Sequence, residues 1–261
     1  MKYKMINMIT MILIIIILSI ILYYNYKYKL EKYENKKILL INYANKGFVN
    51  SRKKQKETAL SIAGINEVKE YNFDDIDENF KKENFQHFNQ SRGAGYWVWK
   101  PYLILKTLKK MNDGEILVYC DAGAFFTDSV LPAIEKMEKM QSSIMLFYGT
   151  GEVEKKWTKK DIFKQLNALE NSDVLNTIMI EAGFIILKKS NNSIEFISKW
   201  LELCKNYHLI SDEPSIEKNY DEFIENRHDQ SLLSVLGKVY KEKYNIIFDE
   251  KDFVNHHKSR E

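Results

Sequence analysis

The stretch SRGAGYWVWKPYLILKTLKKMNDGEILVYCDAG, residues 91–123, decides how the chain is read. Ile116–Cys120 is a short apolar run bounded by turn residues, which marks a buried strand. Pro101 stands near the first turn of the preceding helix, where its missing N–H does no harm. Tyr102, Leu105 and Leu108 give that helix an apolar face, and Asn112-Asp113-Gly114 ends it. The strand runs straight into Asp121. Open α/β sheets bind ligands at the C-terminal edges of their strands, where loops converge on a crevice. A binding site at Asp121 is therefore expected.

Outward from this unit the chain alternates strands and helices. Ile38–Tyr43, Glu67–Phe73, Ile144–Tyr148, Ile178–Leu187 and Ile246–Phe248 read as strands, the fourth interrupted by Glu181-Ala182-Gly183. Helices are expected at 51–63, 131–140, 158–169 (from the capping-box spacing of Thr158 and Asp161), about 194–204, and after His228-Asp229-Gln230. Residues 74–88 read as a charged, irregular connection. Such alternation implies one α/β domain.

The N-terminus is different. Met8 to Tyr24 is almost entirely Ile, Leu and Met. As a helix it would rise about 25 Å, the lower limit for a bilayer, and tyrosines suited to an interface follow it. No small-residue cleavage site follows, so an uncleaved single-pass anchor is expected, with residues 1–26 as anchor, 27–37 as linker and 38–261 as the globular domain. The lysines after the anchor favour a cytosolic domain; the sequons at Asn89 and Asn191 favour a lumenal one in the secretory pathway or another internal membrane.

A formal net charge of +3, from 39 basic and 36 acidic residues, leaves no polycationic surface for nucleic acid. Cys120 and Cys204 do not form a disulfide framework; Cys120 reads as a small buried thiol. No GxSxG, HExxH, P-loop or CxxC motif is present.

The residues that suit chemistry cluster in four places. Asp121 suits either a hard divalent cation or a turn, and Gly123 allows close backbone approach. Arg92 and Gly95 lie in a loop suited to clamping a phosphate, and Lys100 adds charge at a helix start. Trp97 and Trp99 suit core packing or, for one of them, stacking on a base or sugar. Asp229 either caps a helix or joins Arg227, His228 and Gln230 in a polar site. Gly183 again suits close ligand approach, beside Glu181 and Ala182. His256 and His257 are either solvated or metal ligands.

The segments SRGAGYWVWKPYLILKTL, DGEILVYCDAG, EKKWTKKDIF (154–163), EAGFIILKKS (181–190), RHDQSLLSVL (227–236) and NHHKSR occur in the order expected of nucleotide-diphospho-sugar glycosyltransferases with the GT-A fold, which the chain resembles. The resemblance implies a single Rossmann-type mixed sheet flanked by helices, here preceded by a transmembrane helix. It implies a UDP- or GDP-sugar donor, a glycan, lipid or protein acceptor, and usually Mn²⁺ or Mg²⁺. Donor contacts would fall on Arg92, Gly95, Trp97, Lys100, Asp121 and Gly123. Acceptor or sugar contacts would fall on Ala182, Gly183, His228 and Gln230. Asp229, or else Glu181, would be catalytic, and metal would rest on Asp121, His256 and His257. The usual Asp-x-Asp is Asp121-Ala122-Gly123 here, lacking the second carboxylate. That departure raises the alternative of an inactive, anchored carbohydrate-binding or scaffolding protein. A metal-dependent phosphoesterase, a third reading, would need more clustered His and Asp ligands.

Overall fold

The computed structural model describes residues 11–24, 27 and 36–256. The chain divides into two units, Met1–Lys37 and Ile38–Glu261. In the first, 11–24 form a helix whose side chains are all exposed. Among the described residues no helix is long and apolar enough to cross a membrane. The expected span begins at Met8, and its first three residues lie outside the described ones.

The second unit holds a six-stranded sheet with strand order β2-β1-β3-β6-β5-β7. These strands are β1 (Ile38–Tyr43), β2 (Glu67–Tyr71), β3 (Ile116–Cys120), β5 (Ile144–Val153), β6 (Ile178–Lys188) and β7 (Ile247–Asp249). β1 pairs parallel with β2 and β3, and β5 parallel with β7, while β6 runs antiparallel to both β3 and β5. One reversed strand in an otherwise parallel sheet is the mixed α/β architecture expected. Every residue of β1 and β3 is buried, as strands covered on both faces must be. A separate antiparallel pair joins β4 (Ala124–Phe126) to β8 (Val254–His256).

β6 is the strand that shapes the site. Its partner β3 ends at Cys120, opposite Phe184, so Ile178–Gly183 project past the sheet edge beside the extended end of β5. The expected break at Glu181-Ala182-Gly183 does not occur. The strand continues because the Gly183 carbonyl accepts a hydrogen bond from Asp121 N at 2.8 Å, and Tyr148 pairs with Ile180.

Two further expectations are corrected. Residues 74–88 are not irregular: helical turns at Phe73–Asp75, Glu78–Glu83 and Phe85–Phe88 fill the segment, the first held by a capping box on Asn72. The capping box at Thr158 is absent, and its helix runs only Lys160–Gln165. Thr158 Oγ1 instead donates to the buried carboxylate of Glu154 at 2.9 Å.

The segment before the Trp99–Leu108 helix has an unusual backbone. Gly93, Ala94, Gly95, Tyr96 and Trp97 all have positive φ, between 49° and 103°. Left-handed turns normally cost about 1–2 kcal/mol per L-residue, so the surroundings must hold this one. Tyr96 N bonds to Arg92 O at 2.8 Å and Trp97 N to Gly93 O at 3.2 Å. Trp99 Nε1 donates to Gly93 O at 2.8 Å, and its ring stacks on Tyr43 at 3.9 Å. Trp99 thus belongs to the core, while Trp97 is half-buried over Gly93. A Cβ at Gly93 would lie 2.3 Å from the Trp97 ring. Gly93→Ala should therefore displace the indole, with destabilisation of more than about 1 kcal/mol from the φ conflict alone; tryptophan fluorescence and urea titration check both.

Candidate functional site

The site forms where β3 ends. Asp121 lies beside Gly183, whose missing side chain makes the room: a Cβ there would stand 3.1 Å from Asp121 Oδ2. Tyr119 donates to Asp121 Oδ1 at 2.6 Å. From the Val49–Ser61 helix, Gln55 Nε2 donates to the Asp121 carbonyl at 2.8 Å, and Asn42 Nδ2 donates to Gln55 Oε1 at 2.7 Å. The turn carrying Asp121 is thus anchored on three sides. Its carboxylate is 40 % exposed.

Lys100 is the unexpected member. The sequence places it at a helix start, and the structure buries it: its side chain is 4 % exposed, with Nζ 2.9 Å from Asp229 Oδ2 and 3.4 Å from Asp121 Oδ1. Nζ also donates to the Ala182 carbonyl at 3.2 Å. One ammonium thereby joins β3, β6 and two helices. Burial opposes its charge, but Asp121 and then Asp229 outweigh that and raise its pKa above the usual lysine value.

Asp229 opens the Asp229–Val239 helix and is itself buried. Its carbonyl accepts from Trp200 Nε1 at 3.0 Å. Burial pushes its carboxyl up to about 6, against the pull of Lys100 and with a further push from Asp121. Both Asp229 and Lys100 are shifted upward: at Asp229 burial outweighs the pull of Lys100, and at Lys100 the two carboxylates outweigh burial.

His228 precedes it with φ +55°, a conformation uncommon outside glycine. Its Nδ1 lies 2.7 Å from Ile210 O and Nε2 3.7 Å from Asp212 Oδ1. The ring stacks on Tyr96 at 5.0 Å and leans on Trp97 at 5.3 Å. Burial lowers its pKa, so the neutral ring donates from Nδ1. Gln230 Oε1 accepts from Ala182 N at 3.3 Å.

The remaining sequence candidates fall around this centre. Arg92 is not free at a phosphate clamp: it pairs with Asp212 at 3.6 Å and Glu225 at 3.4 Å. Gly95 has φ +103°, and a Cβ there would stand 3.2 Å from the His87 carbonyl oxygen. Gly123 faces Phe48, with space for a side chain. Glu181 is ion-paired with Lys251, both mostly buried. Burial raises the Glu181 pKa; Lys251 pulls it back, and Asp121 adds to the rise. Gln55, Asp212 and Lys251 escaped sequence reasoning because nothing local marks their distant partners; Tyr119 also escaped it, although its partner Asp121 is only two residues away.

The expected divalent cation does not fit the described residues. Among them no three His, Cys, Asp or Glu side chains converge to hold one. Gly123 offers no ligand, and the Lys100 ammonium stands against Asp121 Oδ1. Of the other expected ligands, the backbone of His256 pairs with Ala124, its side chain lies outside the description, and His257 lies outside the described residues.

No protein-family profile matches the chain, and no curated protein matches it. Among solved structures similar to it are glycosyltransferases. Mouse xyloside xylosyltransferase 1, in apo form, shares 11% identity over 83% of this chain and 85% of its own, with a TM-score of 0.46. Galactosyltransferase LgtC, in complex with donor and acceptor sugar analogs, shares 12% over 80% and 72%, with a TM-score of 0.40. A 4-diphosphocytidyl-2C-methyl-D-erythritol synthase from Anaerococcus prevotii shares 12% over 87% and 91%, with a TM-score of 0.41.

Removing Lys100 leaves Asp229 buried without a counter-ion, which typically costs about 3–5 kcal/mol. Lys100→Met should show that loss in urea unfolding. Lys100→Met with Asp229→Asn should recover at least half of it, a coupling that a double-mutant cycle reads directly.

Proposed function

We propose that the chain is a glycosyltransferase that moves a sugar from a nucleotide-diphosphate donor to a hydroxyl of a glycan, lipid or protein acceptor. The observation that carries this reading is the Lys100–Asp121–Asp229 cluster: an exposed and a buried carboxylate sharing one ammonium at the C-terminal edge of the central strand. The order of sequence segments that resembles GT-A enzymes supports it.

The reaction breaks the bond between the anomeric carbon and the diphosphate oxygen and forms one to the acceptor oxygen, whose proton must leave. Asp229, with a carboxyl at about 6, is suited to take that proton near neutral pH, since a base works best with its pKa near the operating pH. Lys100 and Lys251 offset two of the three carboxylate charges of Asp121, Asp229 and Glu181, which lessens the repulsion of a diphosphate at the strand edge. The UDP or GDP moiety would lie against the left-handed turn at Gly95 and Trp97, and Ala182, Gly183, His228 and Gln230 would face the sugars.

The full chain, incubated with UDP- and GDP-sugars with and without Mn²⁺, should bind or slowly hydrolyse at least one. Binding of none, under either condition, rejects the reading. Asp229→Asn should lower turnover about 10²–10⁴-fold, the usual worth of a general base, with its thermal melting transition retained.

The pH profile gives a second check. A base must be ionised, so turnover should fall as pH drops through about 6, the value to which Asp229 is raised. This acid limb should vanish in the residual activity of Asp229→Asn. A limb that persists there assigns it to another group.

We also propose that the apolar segment, including the exposed 11–24 helix, anchors the chain to a membrane. An apolar surface of this extent must be covered. The full chain should stay in the pellet after carbonate extraction, and a chain lacking residues 8–24 should not.

A further inference from the structure

The Asp229–Val239 helix buries most of its residues, yet one of its faces is polar. Gln230, Ser234 and Lys238 stand at i, i+4 and i+8, one above the other. Each meets the part of the chain that projects past the sheet edge. Ala182 N donates to Gln230 Oε1 at 3.3 Å, and Ile180 N donates to Ser234 Oγ at 2.8 Å. Lys238 Nζ donates to Oε2 of Glu154, the residue after β5, at 2.6 Å.

Helix and strand match in spacing. Four helix residues rise about 6 Å and two strand residues about 6.6 Å, so helix positions 230 and 234 come level with strand positions 182 and 180. The contact falls where the sheet ladder is broken: between the pairs Leu146–Ile185 and Tyr148–Ile180, β5 advances two residues and β6 five. Of the two pins Ser234 is the stronger, since 2.8 Å lies within the usual N–H···O range and 3.3 Å beyond it. A serine inside a helix commonly turns its hydroxyl back to the carbonyl four residues before it. Ser234, fully buried, donates instead to Glu154 Oε2 at 2.5 Å, which turns its lone pairs toward Ile180 N. Glu154 is buried as well, and its other oxygen accepts from Thr158 at 2.9 Å.

A slip between helix and strand would be felt at Asp229. Asp229 rides on the helix, whereas Lys100, 2.9 Å from it, is also bonded to Ala182 O on the strand at 3.2 Å. From this geometry we infer that Ser234, oriented by Glu154, is a positioning residue that fixes the register of the helix on β6 and thereby the place of Asp229. That Asp229 acts as a base rests on the glycosyltransferase reading; its placement by Ser234 rests on these contacts alone.

The test uses the full chain in detergent, with UDP-glucose, UDP-galactose and GDP-mannose as donors. Ser234→Ala should lower kcat for any donor the unaltered chain turns over by about 10- to 100-fold, the scale of a 1 Å misplacement, and change donor KM less than about twofold. Two paired substitutions separate placement from packing, because exchanging a buried ion pair for apolar groups is often neutral for stability. Glu154→Gln with Lys238→Met keeps an acceptor for the Ser234 hydroxyl and should keep most of the turnover. Glu154→Leu with Lys238→Met offers none and should fall as Ser234→Ala does; it carries the same readouts should Ser234→Ala fail to fold. A readout independent of turnover is the Trp200 indole N–H resonance, since Trp200 Nε1 donates to the Asp229 carbonyl at 3.0 Å. It should shift in Ser234→Ala and in the leucine pair, and stay in the glutamine pair. An unmoved resonance in folded Ser234→Ala, or equal turnover of the two paired variants, overturns the positioning role. A shifted resonance in a chain that binds and turns over no donor upholds that role and overturns the transferase reading.

Discussion

A single buried ammonium organises this molecule. Placing Lys100 out of water is expensive, and its cost is offset only when carboxylates stand close and in good geometry. Asp121 and Asp229 do so from positions 21 and 129 residues farther along the chain, and Ala182 O adds a third contact from β6. The end of β3, the projecting part of β6 and the start of the 229–239 helix must therefore all be in register before the lysine is satisfied. The left-handed turn at 93–97 serves the same end. It reverses the chain tightly enough to start the next helix at Trp99, whose indole is fixed between Tyr43 and Gly93 O, so that Lys100 enters the interior. Backbone strain and buried charge occur together because the first delivers the second.

Much of the scaffold was legible in the sequence, and for a simple reason. β1 and β3 are apolar throughout, and only a strand covered on both faces tolerates that. What could not be read locally was whatever distant partners decide. Glu181-Ala182-Gly183 looks like a break in a strand, yet Asp121 N pairs with the Gly183 carbonyl and carries the strand through. Thr158 and Asp161 have the spacing of a helix cap, but each is claimed elsewhere, by Glu154 and by the loop at 216–217. Lys100 and Arg92 both read as cations facing a phosphate; one is drawn inward by two carboxylates and the other held by Asp212 and Glu225. In each case the residue was found and its partner was not.

For the proposed proton acceptor, the preference for Asp229 over Glu181 follows from their counter-ions. Burial raises both carboxyls. Glu181, however, has Lys251 to itself, and an exclusive ion pair resists protonation. Asp229 must share Lys100 with Asp121. Any ligand that draws Lys100 toward Asp121 weakens its hold on Asp229 and makes that carboxylate more basic. Asp121 is the exposed member of the pair, the one a donor at the strand edge would meet first. Donor binding and the basicity of Asp229 would then be coupled through 3.4 Å and 2.9 Å contacts to one nitrogen. Glu181 feels Asp121 and Lys100 only at longer range, without a direct ion pair to Lys100, and Asp229 is the better candidate for that reason rather than for its pKa alone.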